Sequence, residues 1–267
     1  MAPSLFIFVA LQAEAKPLIQ HLGLKKSVET HPFTIYTSHD TVLVLTGMGK
    51  IAMAGAVGYA MAKFAQGFSP IMLNIGIAGH RQHDLGACYL ADKILNTATG
   101  RTFYPQFPFR HNITTTKVLS FAKPQADYSD DGLYDMEAAG FYEIAARFST
   151  SELIHCIKIV SDNRETPLAD FNLDRVNAWI DAHLPGISLL IDQLRRCRPH
   201  IAEIDDEDYR HLVEQYHFTA ANAIKLKNLW QRRLLLCPDI PLELEGLQNA
   251  RQVLLRLEAQ LQQAFYL

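Results

Sequence analysis

Leu153-Ile154-His155-Cys156-Ile157-Lys158-Ile159-Val160 is a mostly apolar run, and it ends in Ser161-Asp162-Asn163. Its length and β-branched content read as a buried strand. Earlier in the chain, Asp135-Met136-Glu137-Ala138-Ala139-Gly140 opens a stretch with helical spacing, in which Met136, Ala139, Tyr142, Ile144 and Ala145 can face inward. A carboxylate just past a strand end and another at a helix start can converge in one crevice, because open α/β sheets bind ligands at the carboxyl ends of their strands. Two carboxylates in different surroundings can divide labour, one anchoring hydroxyls and one handling a proton.

Outward from these segments, strand-like and helix-like patterns alternate. Residues 5–11 read as a strand and 13–22 as a helix, with Pro17 in its first turns, where proline is tolerated. Residues 33–37 and 42–46 are short strands around the turn Ser38-His39-Asp40. Residues 51–65, rich in alanine and methionine, form a helix that packs closely on a sheet. Strands are expected at 71–75, 86–97, 117–122 and 153–160, and helices at 136–148 and 176–195. Such alternation predicts an α/β fold, a three-layer α/β/α arrangement with a central mixed sheet.

From residue 200 the character changes. Glu203-Ile204-Asp205-Asp206-Glu207-Asp208 reads as a solvated linker or a helix start. Amphipathic helices are expected at 209–216, 219–236 and 242–264, the last two separated by Cys237-Pro238-Asp239-Ile240-Pro241. In the last of them Leu247, Ala250, Val253, Leu254, Leu257, Leu261 and Ala264 fall on one stripe. The division is an α/β domain over 1–199 and a helical C-terminal extension over 200–267. Packing against the core or a partner subunit is the default role of that extension.

Four segments resemble, in order and spacing, the purine nucleoside phosphorylase and nucleosidase superfamily, and most closely its methylthioadenosine/S-adenosylhomocysteine nucleosidase branch. They are Val9-Ala10-Leu11-Gln12-Ala13-Glu14-Ala15, Thr46-Gly47-Met48-Gly49-Lys50, Asn74-Ile75-Gly76-Ile77-Ala78-Gly79, and the two acidic signatures. The resemblance covers roughly residues 4–195 and does not reach the helical extension.

Cleaving an N-ribosidic bond passes through an oxocarbenium-like sugar. It needs an acid near the leaving base, an anchor for the ribose hydroxyls, and a group that steers the nucleophile. The resemblance places Asp162 at the purine, with Ser161 orienting its carboxylate; the plain alternative is an aspartate capping the next loop or helix. Glu137 would accept hydrogen bonds from ribose hydroxyls and Met136 would pack on the sugar face, although an acid in a helix first turn also suits the macrodipole. Glu14 would position and activate water, or else stand on the solvent side of a first turn. Ala78 and Gly79 close the third strand, where glycine admits a ligand to the backbone or simply makes a tight turn.

Phosphorylases must hold an anionic nucleophile, usually with arginine and hydroxyl donors. Several phosphorylases of the superfamily carry an arginine and a serine where this chain has Asn74 and Ile77. After the first strand stands Gln12-Ala13-Glu14, whose carboxylate would repel phosphate. Water is therefore the expected nucleophile, with Arg81 and Arg101 open as phosphate contacts or as solvated side chains. Gly86-Ala87 replaces the family's more frequent Gly-Asp, and the segment between Thr97 and Tyr134 is short. Phe103, Tyr104, Phe107 and Phe109 are candidates for stacking on a base, with core or dimer packing as the alternative. His80 and His83 lack the HExxH or Cys/His company of a zinc site.

Composition bounds the remaining classes. A chain of 267 residues can hold one α/β domain with a large core, or a domain plus an appendage. A net charge of -3 makes no electrostatic case for nucleic acid or an anionic membrane. Cys88, Cys156, Cys197 and Cys237 are scattered without a CxxC, as free thiols in a reducing compartment would be. The apolar residues 5–11 lack a basic n-region and run into Glu14 and Lys16, so a core strand is expected there rather than a signal segment. No run has the length of a membrane span. The expectation is a cytoplasmic purine-type nucleosidase, free of metal and cofactor, acting on a small nucleoside such as 5′-methylthioadenosine; the resemblance adds a homodimer. The rivals are a phosphate-dependent phosphorylase, and a weakly active nucleoside-binding protein whose helical tail engages a partner.

Overall fold

The alternation of side chains along β1 (Leu5–Val9) sets the layers of the molecule. Phe6 and Phe8 face one side of the sheet and Leu5, Ile7 and Val9 the other, all fully buried. Its parallel neighbour β4 (Thr41–Leu45) repeats the pattern, with Val42 and Val44 beside Phe6 and Phe8, and Leu43 beside Ile7. A strand covered on both faces needs helices on both sides. On the Phe6 side lie α2 (Lys50–Phe64) and α3 (Ala138–Ala145), packed through Met53, Ala56, Val57, Ala139 and Phe141. On the Leu5 side lie α1 (Gln12–His21) and α4 (Leu173–Ala202), packed through Ala15, Leu18, Val176, Ile180 and Ile187. Each such buried large side chain contributes roughly 1.5–3 kcal/mol.

The structure, a computed structural model, describes residues 3–65, 69–125, 127–166, 172–202, 207–236 and 240–264. The remaining strands of the first unit are β2 (Lys25–Lys26), β3 (Thr34–Thr37), β5 (Ile71–Gly79), β6 (Cys88–Asn96), β7 (Thr102–Phe103), β8 (Thr114–Ser120), β9 (Leu133–Asp135) and β10 (Ile154–Asp162). Strands β4, β1, β5 and β10 run parallel in that order. β10 is also antiparallel to β6; β6 runs parallel to β8 and β8 to β9; β9 returns antiparallel to β5 through Gly79 and Tyr134. Five strands thus close a ring within a mixed sheet whose other arm ends at β2.

Several boundaries differ from the sequence reading for local reasons. β5 and β10 both run on to the residues expected beyond them, so Gly79 and Asp162 are strand-terminal and face each other in register. α3 starts at Ala138, two residues later than expected, because the amides of Glu137 and Ala138 are taken by the Asp135 carboxylate. Ile144 is only half-buried. Pro17 leaves the Ala13 carbonyl without its helical donor. The Asn177 side-chain amide of α4 donates to it at 3.2 Å instead.

The chain divides into two compact units, Met1–Ala202 and Glu203–Leu267. In the second, α5 (Glu207–Gln215), α6 (Ala220–Leu236) and α7 (Ala250–Ala264) enclose a core built around Trp230, Leu226, Leu212, Val253 and Leu257. The expected helix from 242 begins only at Ala250. Gly246 takes a left-handed φ of 79° before it, and the Asn249 side chain accepts the Gln252 amide at 3.1 Å, an N-cap. Residues 203–206 of the expected acidic run and 237–239 of the expected separator, Cys237 included, lie outside the described residues, and Glu207 and Asp208 begin α5. Cys156 is buried and Cys88 and Cys197 are half-buried, all as free thiols. Among the described residues no helix is long and apolar enough to cross a membrane.

Candidate active site

Because β1, β5 and β10 are parallel, their carboxyl ends share one edge of the sheet, and a cavity of about 300 Å³ opens there. That volume lies at the lower end of ordinary small-molecule pockets. Seven residues singled out in the sequence line it: Glu14, Ala78, Gly79, Met136, Glu137, Ser161 and Asp162.

Glu14 stands in the first turn of α1, buried rather than facing solvent. The amides of Ala10 and Leu11 donate to its Oε2, each at 2.8 Å, and the Ile77 amide donates to Oε1 at 3.0 Å. A Cβ on Gly76 would lie 2.9 Å from Oε1, so glycine there makes room for the carboxylate. Burial pushes its pKa up to about 7, against the lowering effect of the Leu11 and Ile77 amides and of the Lys158 charge.

Glu137 precedes α3 and is also buried. Its Oε1 accepts the Gly49 amide at the start of α2 at 2.7 Å, and its Oε2 accepts its neighbour Met136's amide at 3.3 Å. Burial and the nearby Asp135 charge raise its pKa; Lys158 and these two amides oppose the rise. Met136 is half-buried beside it, and Met48, 68% exposed, stands at the rim.

Asp162 ends β10. The Ser161 hydroxyl donates to Oδ1 at 2.5 Å and the Tyr128 hydroxyl donates to Oδ2. A Cβ on Gly79 would collide with this carboxylate and come within 2.9 Å of the Tyr128 ring. The glycine is thus explained by side-chain packing beneath the cavity as much as by ligand approach.

Beneath the carboxylates lies a residue the sequence reading passed over. Lys158, in the interior of β10 and 1% exposed, pairs with Asp135 at 2.8 Å. Burial alone would lower its pKa, yet Asp135 and then Glu137 raise it above the ordinary lysine value, so it remains an ammonium. Asp135 is structural: it accepts the Ser120 hydroxyl and caps α3. The only sign of Lys158 in the sequence is a lysine in a mostly apolar run.

The aromatic candidates fall elsewhere. Phe103 packs on Tyr142 with ring centroids 5.3 Å apart, Phe107 and Phe109 surround the buried His155, and Tyr104 is exposed. None lines the cavity, and the first three serve the two cores of the α/β unit. Among the described residues, the rings that do line it are Phe121 and Tyr134, stacked 5.0 Å apart. Arg81 and Arg101 are not in the cavity wall either, and Arg101 pairs with Glu143. His80 and His83 stack 3.5 Å apart, and the His80 Nδ1 accepts the amides of Gln82 and His83.

No protein-family model matches the chain, and no curated protein matches it. Solved structures do. 5′-Methylthioadenosine nucleosidase of Arabidopsis thaliana superposes with a TM-score of 0.58 at 16% identity, covering 72% of this chain and 96% of that one. A methylthioadenosine/S-adenosylhomocysteine nucleosidase of Colwellia psychrerythraea 34H, in complex with adenine, gives 0.53 at 17% identity over 73% and 95%. Futalosine hydrolase of Helicobacter pylori gives 0.55 at 11% identity over 72% and 99%. The chain therefore has the fold of these nucleosidases.

Proposed function

We propose that this chain hydrolyses the N-ribosidic bond of a purine-type nucleoside of the methylthioadenosine/S-adenosylhomocysteine kind. The observation that carries the reading is the convergence of Glu14, Glu137 and Asp162, from three elements distant in sequence, on one cavity at the carboxyl edge of the sheet. Glu137, with lone pairs left beyond its two amide donors, accepts the ribose hydroxyls while Met136 covers the sugar. Asp162 gives a proton to the leaving base as the C–N electron pair moves onto it. Glu14 takes a proton from the water that bonds to the anomeric carbon, and the products are free base and free sugar.

Water is favoured over phosphate by how the anion-binding donors are used. A helix N-terminus attracts anions, but the Gly49 amide at the start of the 15-residue α2 is given to Glu137, and the Ile77 amide to Glu14. A phosphate would meet these carboxylates where it needs donors. Of the finer features of the reading, the homodimer rests on the resemblance, and the cytoplasmic setting on the scattered cysteines without a CxxC.

The test is to incubate the purified chain with methylthioadenosine, S-adenosylhomocysteine, adenosine, inosine and 5′-deoxyadenosine, with and without phosphate, and to quantify base and sugar products. Free sugar without phosphate is expected. Sugar 1-phosphate formed only with phosphate would make it a phosphorylase; thermal stabilisation by a nucleoside without product would make it a binding protein.

A further inference from the structure

The carboxylate assigned to the leaving base is held by a residue from a segment without any recognisable motif. Tyr128 is 1% exposed and donates its hydroxyl to Asp162 Oδ2. Its backbone sits at φ 42°, a left-handed conformation unusual for a bulky side chain. Two contacts and a missing Cβ hold it there. Its ring packs edge-on against Tyr134, 5.5 Å between centroids; its carbonyl accepts Arg164 Nη2 at 3.4 Å; and Gly79 leaves out the Cβ that would collide with its ring. Strained backbone kept in place by this many partners marks a functional constraint.

Resting on the nucleosidase reading, we propose that Tyr128 is a positioning residue for departure of the base, aiming the Asp162 carboxyl into the cavity and stabilising the negative charge it acquires on giving up its proton. Ser161 donates to one oxygen and Tyr128 to the other. Hydrogen bonds to an ionised acceptor are roughly twice as strong as those to a neutral one. Both therefore tighten as the proton leaves, which is the condition for lowering a barrier rather than merely binding. Burial and the Asp162 carboxylate raise the tyrosine's own pKa, so the hydroxyl remains a donor and does not pass its proton on.

The role is specific enough to separate from simple support of the fold. The less basic the leaving base, the less it needs a proton, so weakening Asp162's part should slow poor leaving groups most. The experiment compares wild type and Tyr128→Phe, which keeps the ring and its packing. It uses the nucleoside the wild type hydrolyses and analogues substituted on the base to vary its leaving-group pKa. The expected result is a fall in kcat on the order of 10²-fold for the most basic leaving base, little change in KM, and a steeper dependence of kcat on leaving-group pKa. Parallel dependences in the two proteins, with or without a uniform loss of rate, overturn the inference while leaving the nucleosidase reading standing. A wild type that cleaves no nucleoside overturns both.

Discussion

At the scale of single residues, the site is a set of carboxylates whose surroundings differ. Glu14 has three amide donors, yet burial outweighs them and its pKa rises to about 7. A base must be ionised to take a proton from water. The value of kcat/KM should therefore fall as pH drops through 7, by about tenfold per unit well below it. The stability consequence has the opposite sense. A folded pKa above the unfolded 4.5 favours folding at low pH, and that contribution is lost as pH rises through 7. Relative to Glu14→Gln, which cannot ionise, the wild type should lose on the order of 3 kcal/mol between pH 4.5 and pH 8; urea unfolding of both across that range measures it, and a constant difference would refute it. Glu14, Glu137 and Asp162 were legible in the sequence because each sits in a short signature at or just past the end of a strand. Tyr128 and Lys158 were not. The tyrosine lies in a segment without periodicity, and the lysine's partner, Asp135, is brought to it only by the sheet.

At the scale of elements, β10 carries the most. It pairs with β5 on one edge and β6 on the other, ends in the catalytic candidate, and holds the buried ammonium in its middle. Removing one partner of a buried pair leaves an uncompensated charge. Lys158→Met should thus destabilise the protein by about 3–5 kcal/mol, and adding Asp135→Asn should restore part of that loss. Thermal unfolding of the single and double variants reads both numbers. The long strands and helices of the α/β unit were legible because burial on one or both faces leaves a periodic or continuous apolar pattern. The strands β2, β7 and β9 were not, since two or three residues are too few for a period, and the closure of the ring depends on pairings between distant segments.

At the scale of the whole molecule, two units each have a separate hydrophobic core. Among the described residues, all the lining of the candidate site comes from the first. A chain of residues 1–202 should therefore fold cooperatively and retain the hydrolysis proposed for the full protein; circular dichroism and the nucleoside assay check it, and an unfolded or inactive fragment would show that residues 203–267 are required. The ring has a further consequence for how copies of the protein behave when concentrated. Closing five strands on themselves removes sheet margins that a second chain would otherwise pair with. Among the described residues, the strands that end the sheet are β2, two exposed lysines long, and β7, also two residues long. Short borders, one of them charged, offer poor templates for strand addition. Aggregation through the sheet must then start from molecules whose ring has opened, and its rate should follow unfolding rather than protein concentration alone.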